Sequence, residues 1–148
     1  MSQDGAGIDL ETSLGYLLKQ SASALRAAME AALRPLGMTV THYSCLELLA
    51  QRPGLSNSDL ARGAFVTRQS MNVLLQALER DGYVTRPAEA AVGKVLPTRL
   101  TPLGRRHLAK ATVAVRSIEL RMLSGLTDDE RHAASRILRS MIAALQDD

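Results

Sequence analysis

Arg68, Gln69, Asn72 and Gln76 are the side chains with the most chemistry to offer. Arginine can pair with the two acceptors of a guanine edge, and asparagine or glutamine with the acceptor and donor of adenine. Their spacing puts them on one side of a helix, together with Ser70 and Val73. The other side carries Met71, Leu74, Leu75 and Leu78, at i, i+3, i+4 and i+7, which is one apolar helical face. Thr67 is a good N-cap for that helix and Gly82 a good left-handed stop. An amphipathic helix with base-reading groups near its start suits the DNA major groove.

Such a helix needs a partner to hold it. Ser56 and Asp59 resemble a capping box, with Asp in place of the usual Glu/Gln, and open a short helix with Leu60 and Ala61 facing inward. Gly63 stands where a turn is expected, because glycine tolerates positive φ. Phe65 and Val66 read as apolar linker residues tucked between the two helices. Residues 55–82 therefore predict a helix-turn-helix. Arg68, Gln69 and Asn72 are the candidate base readers, and Ser56, Asn57 and Thr67 the candidate phosphate holders.

The flanking chain supplies a body. Leu10, Leu14, Leu17, Leu18, Leu25, Met29 and Leu33 predict a helix over 9–34, ended by Pro35. A second helix is expected over 41–51, with Tyr43, Leu46, Leu49 and Ala50 inward, broken by Pro53-Gly54. Tyr83-Val84-Thr85 and residues 94–101 read as two strands joined by a long loop. Pro97 marks the second strand as an edge. A hairpin in this place is a wing, whose candidate contacts are Arg86, Lys94 and Arg99. Thr101-Pro102 starts a long helix whose apolar face runs from Leu108 through Ala111, Val115, Ile118 and Met122 to Leu126. Thr127 and Glu130 form a capping box for a last helix. The terminal helices carry apolar stripes too long for a small winged domain to cover. A second copy of the chain would cover them, and two-fold symmetry suits a palindromic site.

Composition agrees. Of the 148 residues, 46% are hydrophobic but only 3% aromatic, which favours an Ala/Leu-rich, mainly α fold. The net charge of +3 is unevenly placed. Residues 52–110 hold ten Lys/Arg against four Asp/Glu, whereas the segments on either side are slightly acidic. A phosphate-binding surface needs such local charge. No apolar run approaches a membrane span, the N-terminus lacks signal-peptide features and a lone cysteine cannot form an internal disulfide, so a cytoplasmic protein is expected.

With these residues placed, the sequence resembles the MarR family of bacterial transcriptional regulators over about 10–145. The resemblance rests on Leu60-Ala61, Val66-Thr67-Arg68-Gln69-Ser70, Leu78-Glu79-Arg80-Asp81-Gly82-Tyr83-Val84 and Leu100-Thr101-Pro102-Leu103-Gly104. It implies a homodimer with a winged helix-turn-helix over 37–101 and a helical dimerisation region from 1–36 and 102–148. It also implies a repressor of nearby genes that releases palindromic DNA when a small aromatic or phenolic effector binds. Tyr16, His42, Tyr43 and Cys45 are the pocket candidates on that basis. Two departures stand out. The family's Asp-Arg-Arg wing tip falls on Val92-Gly93-Lys94, keeping one charge. Val73 replaces a polar or basic residue, and valine can only touch a thymine methyl.

Other readings stay open. Cys45 could sense oxidants, but the family's peroxide-sensing position matches Gly15, and a buried lone cysteine behaves as a small hydrophobe. A winged helix could instead bind protein. An enzyme finds no support in a phosphate loop, a nucleophile elbow or an acid/histidine cluster. His42, His107 and His132 lack metal-ligand spacing, so no metal or cofactor is expected.

Overall fold

The computed structural model describes residues 7–86 and 98–146. Among these residues, six α-helices and one short pair of antiparallel strands follow the expected order. The first, α1 (Leu14–Leu33), is shorter than the apolar pattern. Ser13 caps it by accepting the Tyr16 N–H at 3.2 Å, and residues 10–12 form a turn before it. Arg34–Leu36 tighten into a 3-10 turn at Pro35, which lacks the N–H that an α-helix would use there. Helix α2 (Val40–Gln51) starts one residue early because Thr39 caps it. His42 completes that box: its Nδ1 accepts the Thr39 N–H at 3.5 Å. The expected inward face of α2 is shifted, with Ala50 exposed and Cys45 buried beside Leu46 and Leu49.

Helices α3 (Asn57–Gly63) and α4 (Arg68–Arg80) form the helix pair. The Ser56–Asp59 capping box is present in both directions, with Ser56 Oγ accepting the Asp59 N–H at 3.1 Å. Met71, Leu74, Leu75 and Leu78 are all buried, as their spacing requires. Each such side chain contributes about 1.5–3 kcal/mol of transfer free energy, enough to hold helices too short to persist alone.

The turn between them departs from expectation. Gly63 lies inside α3, where its small size matters: a Cβ there would meet Leu48 Cδ1 at 2.9 Å. The residue with positive φ is Phe65, at 60°. Its phenyl ring is 93% exposed rather than tucked between the helices, and Val66 takes the inward slot. Two adjacent side chains on such a turn point to different sides, so only one of the two could join the core.

Strands β1 (Val84–Thr85) and β2 (Arg99–Leu100) pair antiparallel, with Val84 opposite Leu100 and Thr85 opposite Arg99. Val84 and Leu100 face the core; Thr85 and Arg99 face out. The wing loop, including Lys94, the Val92-Gly93-Lys94 tip and the edge proline Pro97, lies outside the described residues.

Helix α5 (Pro102–Met122) is capped by Thr101, as expected, and Leu126 lies beyond its end. Thr101 also donates its hydroxyl to the Gly82 carbonyl at 2.6 Å and its N–H to the Tyr83 carbonyl at 3.1 Å. The foot of the wing is thereby tied to the end of α4. Helix α6 (Asp128–Gln146) opens with the Thr127–Glu130 box: the Thr127 N–H bonds Glu130 at 2.9 Å and Thr127 Oγ1 accepts the Glu130 N–H at 3.1 Å.

The core gathers Leu33 and Met38, the inner faces of α2, α3 and α4, the two strands, and Leu108 and Ala111 of α5. By contrast α6 buries none of its residues. No helix among the described residues is long and apolar enough to cross a membrane.

Candidate nucleic-acid interface

The solvent face of α4 begins at its N-cap. Thr67 Oγ1 accepts the Ser70 N–H at 3.0 Å, and the Thr67 hydroxyl lies 3.0 Å from Ser70 Oγ. Arg68, Gln69, Ser70, Asn72 and Gln76 are exposed, and Val73 is 62% exposed. The burial of Met71, Leu74, Leu75 and Leu78 forces this outcome, because it leaves the intervening positions no other side to occupy. One helix face therefore presents one guanidinium, three amides, a hydroxyl and one isopropyl group.

Asn72 is not isolated. Asn57 Nδ2 donates to its Oδ1 at 2.7 Å, from the first residue of α3 to the second turn of α4. This bond orients the Asn72 amide and leaves its Nδ2 as the outward donor. Ser56 and Asn57 are half-buried beside it. Hydrogen bonding to Ser56 holds the Asp59 carboxyl below the usual carboxylate range, with help from the nearby Arg62, which is ion-paired to it. Arg62 was not singled out by its pattern; its place in the last turn of a short helix makes it a neighbour of the capping acid.

The wing contributes differently. Arg86 is one-quarter exposed and contacts Glu79 through Nε and Nη2, both at 3.4 Å. Arg99 is exposed on β2 and lines a concavity of about 460 Å³ between the end of α2 and the wing, shared with Arg105, Thr98 and the Pro53-Gly54 turn. The structure thus brings Ser56, Asn57, Thr67, Arg68, Gln69, Ser70, Asn72, Val73 and Gln76 together on two adjoining helices. Arg86 and Arg99 sit on the wing, and Lys94 lies outside the described residues.

The family model matching this chain, described as MarR family, covers residues 36–94. The HTH-type transcriptional repressor Rv2887 of Mycobacterium tuberculosis is 42% identical over 135 residues, spanning 91% of this chain and 97% of that protein. The chain belongs to the MarR family. Rv2887 has been solved in complex with DNA, with a TM-score of 0.73 at 41% identity over 88% of this chain and 98% of that one. It has also been solved with salicylic acid, with the same TM-score and coverage of 88% and 96%. A MarR family regulator from Silicibacter pomeroyi reaches a TM-score of 0.85 at 27% identity, covering 97% of each chain. The mainly α architecture with its small wing is the MarR winged helix-turn-helix.

Of the four pocket candidates suggested by the MarR resemblance, three lie on α2 and Tyr16 lies on α1. Tyr16 is 44% exposed in the first turn of α1. Tyr43 donates its hydroxyl to Glu47 at 2.8 Å, and burial, then that hydrogen bond, push its pKa well above the usual value. Burial lowers the pKa of His42, which favours the neutral imidazole whose Nδ1 accepts in the capping box. Cys45 is fully buried, and burial pushes its thiol up to about 12. A thiol so far from ionising is a poor nucleophile at neutral pH, which favours the structural reading over a redox switch. A separate concavity of about 340 Å³ lies between α1 and α5, with Ala24, Leu25, Ala28, Ile118 and Met122 as walls and Ser21 and Arg121 as its polar groups. None of Tyr16, His42, Tyr43 or Cys45 lines it. Among the described residues, no three His, Cys, Asp or Glu cluster as a metal site.

Proposed function

We propose that this chain is a homodimeric, sequence-specific DNA-binding repressor released by a small aromatic effector. The observation that carries the reading is the outer face of α4, where Arg68, Gln69 and Asn72 stand exposed on a helix anchored by the buried Met71, Leu74, Leu75 and Leu78. Rv2887, named as a transcriptional repressor and solved with DNA, supports it. In the mechanism, each copy lays α4 in a major groove, the two grooves lying about one helical turn apart. Arg68, Gln69 and Asn72 meet bases, Ser56, Asn57 and Thr67 meet phosphates, and Arg86, Lys94 and Arg99 carry the wing's contacts with the minor groove or phosphates. Residues 37–101 form the reading head, and 1–36 with 102–148 form the dimerisation region.

The effector part rests on the salicylic acid complex of Rv2887 and on the concavity between α1 and α5. Its apolar walls suit an aromatic ring and Arg121 suits a carboxylate or phenolate. An effector can move the two reading heads only by as much as its affinity differs between their two spacings. This is binding rather than catalysis, and it belongs in the cytoplasm with the DNA.

The test is selection of duplexes by the purified protein, followed by affinity against salt. A palindromic consensus is expected, with a log–log salt slope near −0.9 for each phosphate neutralised. A flat slope, or no preferred sequence, would remove the repressor reading.

A further inference from the structure

Among the described residues, three helix ends close in the same way. At each, the second residue past the cap donates its N–H five residues back and the residue before it donates three residues back, the pair of bonds of a Schellman motif. After the 3-10 turn, Met38 reaches Leu33 at 3.3 Å and Gly37 reaches Arg34 at 2.9 Å. After α4, Tyr83 reaches Leu78 at 2.9 Å and Gly82 reaches Glu79 at 3.1 Å. After α3, Val66 reaches Ala61 at 3.0 Å and Phe65 reaches Arg62 at 3.2 Å. The motif needs a left-handed residue at its pivot. Gly37 and Gly82 supply it at φ of 68° and 84°, without steric cost. At the third end the pivot is Phe65, at 60°.

A bulky residue in this region is a backbone outlier. Its side chain returns nothing to the fold, being 93% exposed, whereas Val66 beside it packs on the core. Strain of this kind, unrewarded by packing, points to a role for the side chain itself. The location says which. Phe65 stands two residues before the N-cap Thr67 and three before Arg68, at the end of α4 where a recognition helix meets bases. The apolar group that a base edge offers in the major groove is the thymine methyl. We propose that Phe65 is a specificity-determining residue that packs its ring on a thymine methyl at the edge of the operator half-site. The inference rests on the DNA-binding reading above and adds an apolar contact to a face otherwise composed of hydrogen-bonding groups and Val73.

The experiment uses the full chain and the duplex it selects. Each thymine is replaced in turn by deoxyuridine, which removes the methyl alone. Wild-type protein should lose roughly fourfold in affinity at one position per half-site, the worth of about one buried methyl group. Phe65→Gly should bind the thymine duplex roughly tenfold more weakly, ignore that same uridine swap, keep the salt slope of the wild type, and melt at an equal or higher temperature. Wild-type affinity in Phe65→Gly, or indifference of the wild type to every uridine swap, would overturn the inference while leaving the repressor reading standing. So would a shallower salt slope, which makes the loss one of phosphate contacts, or a Tm lowered by several degrees, which makes the ring part of the fold. If the wild type selects no duplex, the repressor reading fails first and this inference with it.

Discussion

At the residue scale, the outer face of α4 was legible because burial and exposure alternate with helical period. Once Met71, Leu74, Leu75 and Leu78 face the core, Arg68, Gln69 and Asn72 must face solvent. Arg68 is exposed in the first turn, where a recognition helix meets bases. Arg68→Ala should cost about 1–3 kcal/mol in DNA affinity and relax the preference at a single base pair. The check is a comparison of affinities for operators varied one position at a time. Equal weakening on every sequence would make Arg68 a phosphate anchor. Phe65 was not legible. Apolar character says that a side chain gains by burial, but it does not say which of two adjacent apolar residues the backbone turns inward. The Asn57–Asn72 bond was equally hidden, because it joins residues fifteen positions apart through the packing of two helices.

At the element scale, caps carried most of the information. Ser56, Thr67, Thr101 and Thr127 all accept the N–H three residues on, as their types and positions required. Helix ends were less secure where two signals competed. The apolar stripe began before Ser13, but the Ser13 cap set the start of α1. Thr39 set the start of α2 through a box completed by histidine, a residue outside the usual capping pattern. The junction between wing and α5 depends on close approach. A Cβ on Gly104 would sit 2.1 Å from the Tyr83 carbonyl oxygen, a backbone atom that Thr101 also holds. Relief would require α5 to move away from the end of α4. Gly104→Ala should therefore destabilise the protein by about 2 kcal/mol or more, within the range of core overpacking. Urea unfolding measures this, and an unchanged midpoint would show that α5 shifts freely. The stack of His107 on Tyr83, with ring centroids 4.5 Å apart, should be disturbed by the same movement.

At the scale of the whole molecule, one core draws on α1 through Leu33 and on α5 through Leu108 and Ala111, while much of the apolar surface of α1, α5 and α6 stays bare. Helix α6 buries nothing, yet Ile137, Leu138, Ile142 and Leu145 are 46%, 42%, 53% and 88% exposed. Leu14, Leu17 and Leu18 of α1 and Leu120 and Met122 of α5 are similarly bare. Apolar surface on this scale is uncommon on a monomer and matches the homodimer proposed above. A thermal midpoint that falls as the protein is diluted is the expected signature, because subunit association stabilises the folded state by mass action. A midpoint independent of concentration, with a monomer mass in solution, would refute the dimer. What the sequence determined by itself was whatever is periodic or local. Helical spacing selected the buried face of α4, capping chemistry placed four helix starts, and charge placement set the basic excess over residues 52–110, around the helix pair. The tertiary structure decided what depends on how elements meet. It turned Val66 inward and Phe65 outward, held Asn72 through Asn57, and required Gly104 where α5 crosses the Tyr83 backbone. Periodicity reports which side of an element is apolar; only packing determines which backbone lies close enough to exclude a side chain, and which side chain is left facing outward.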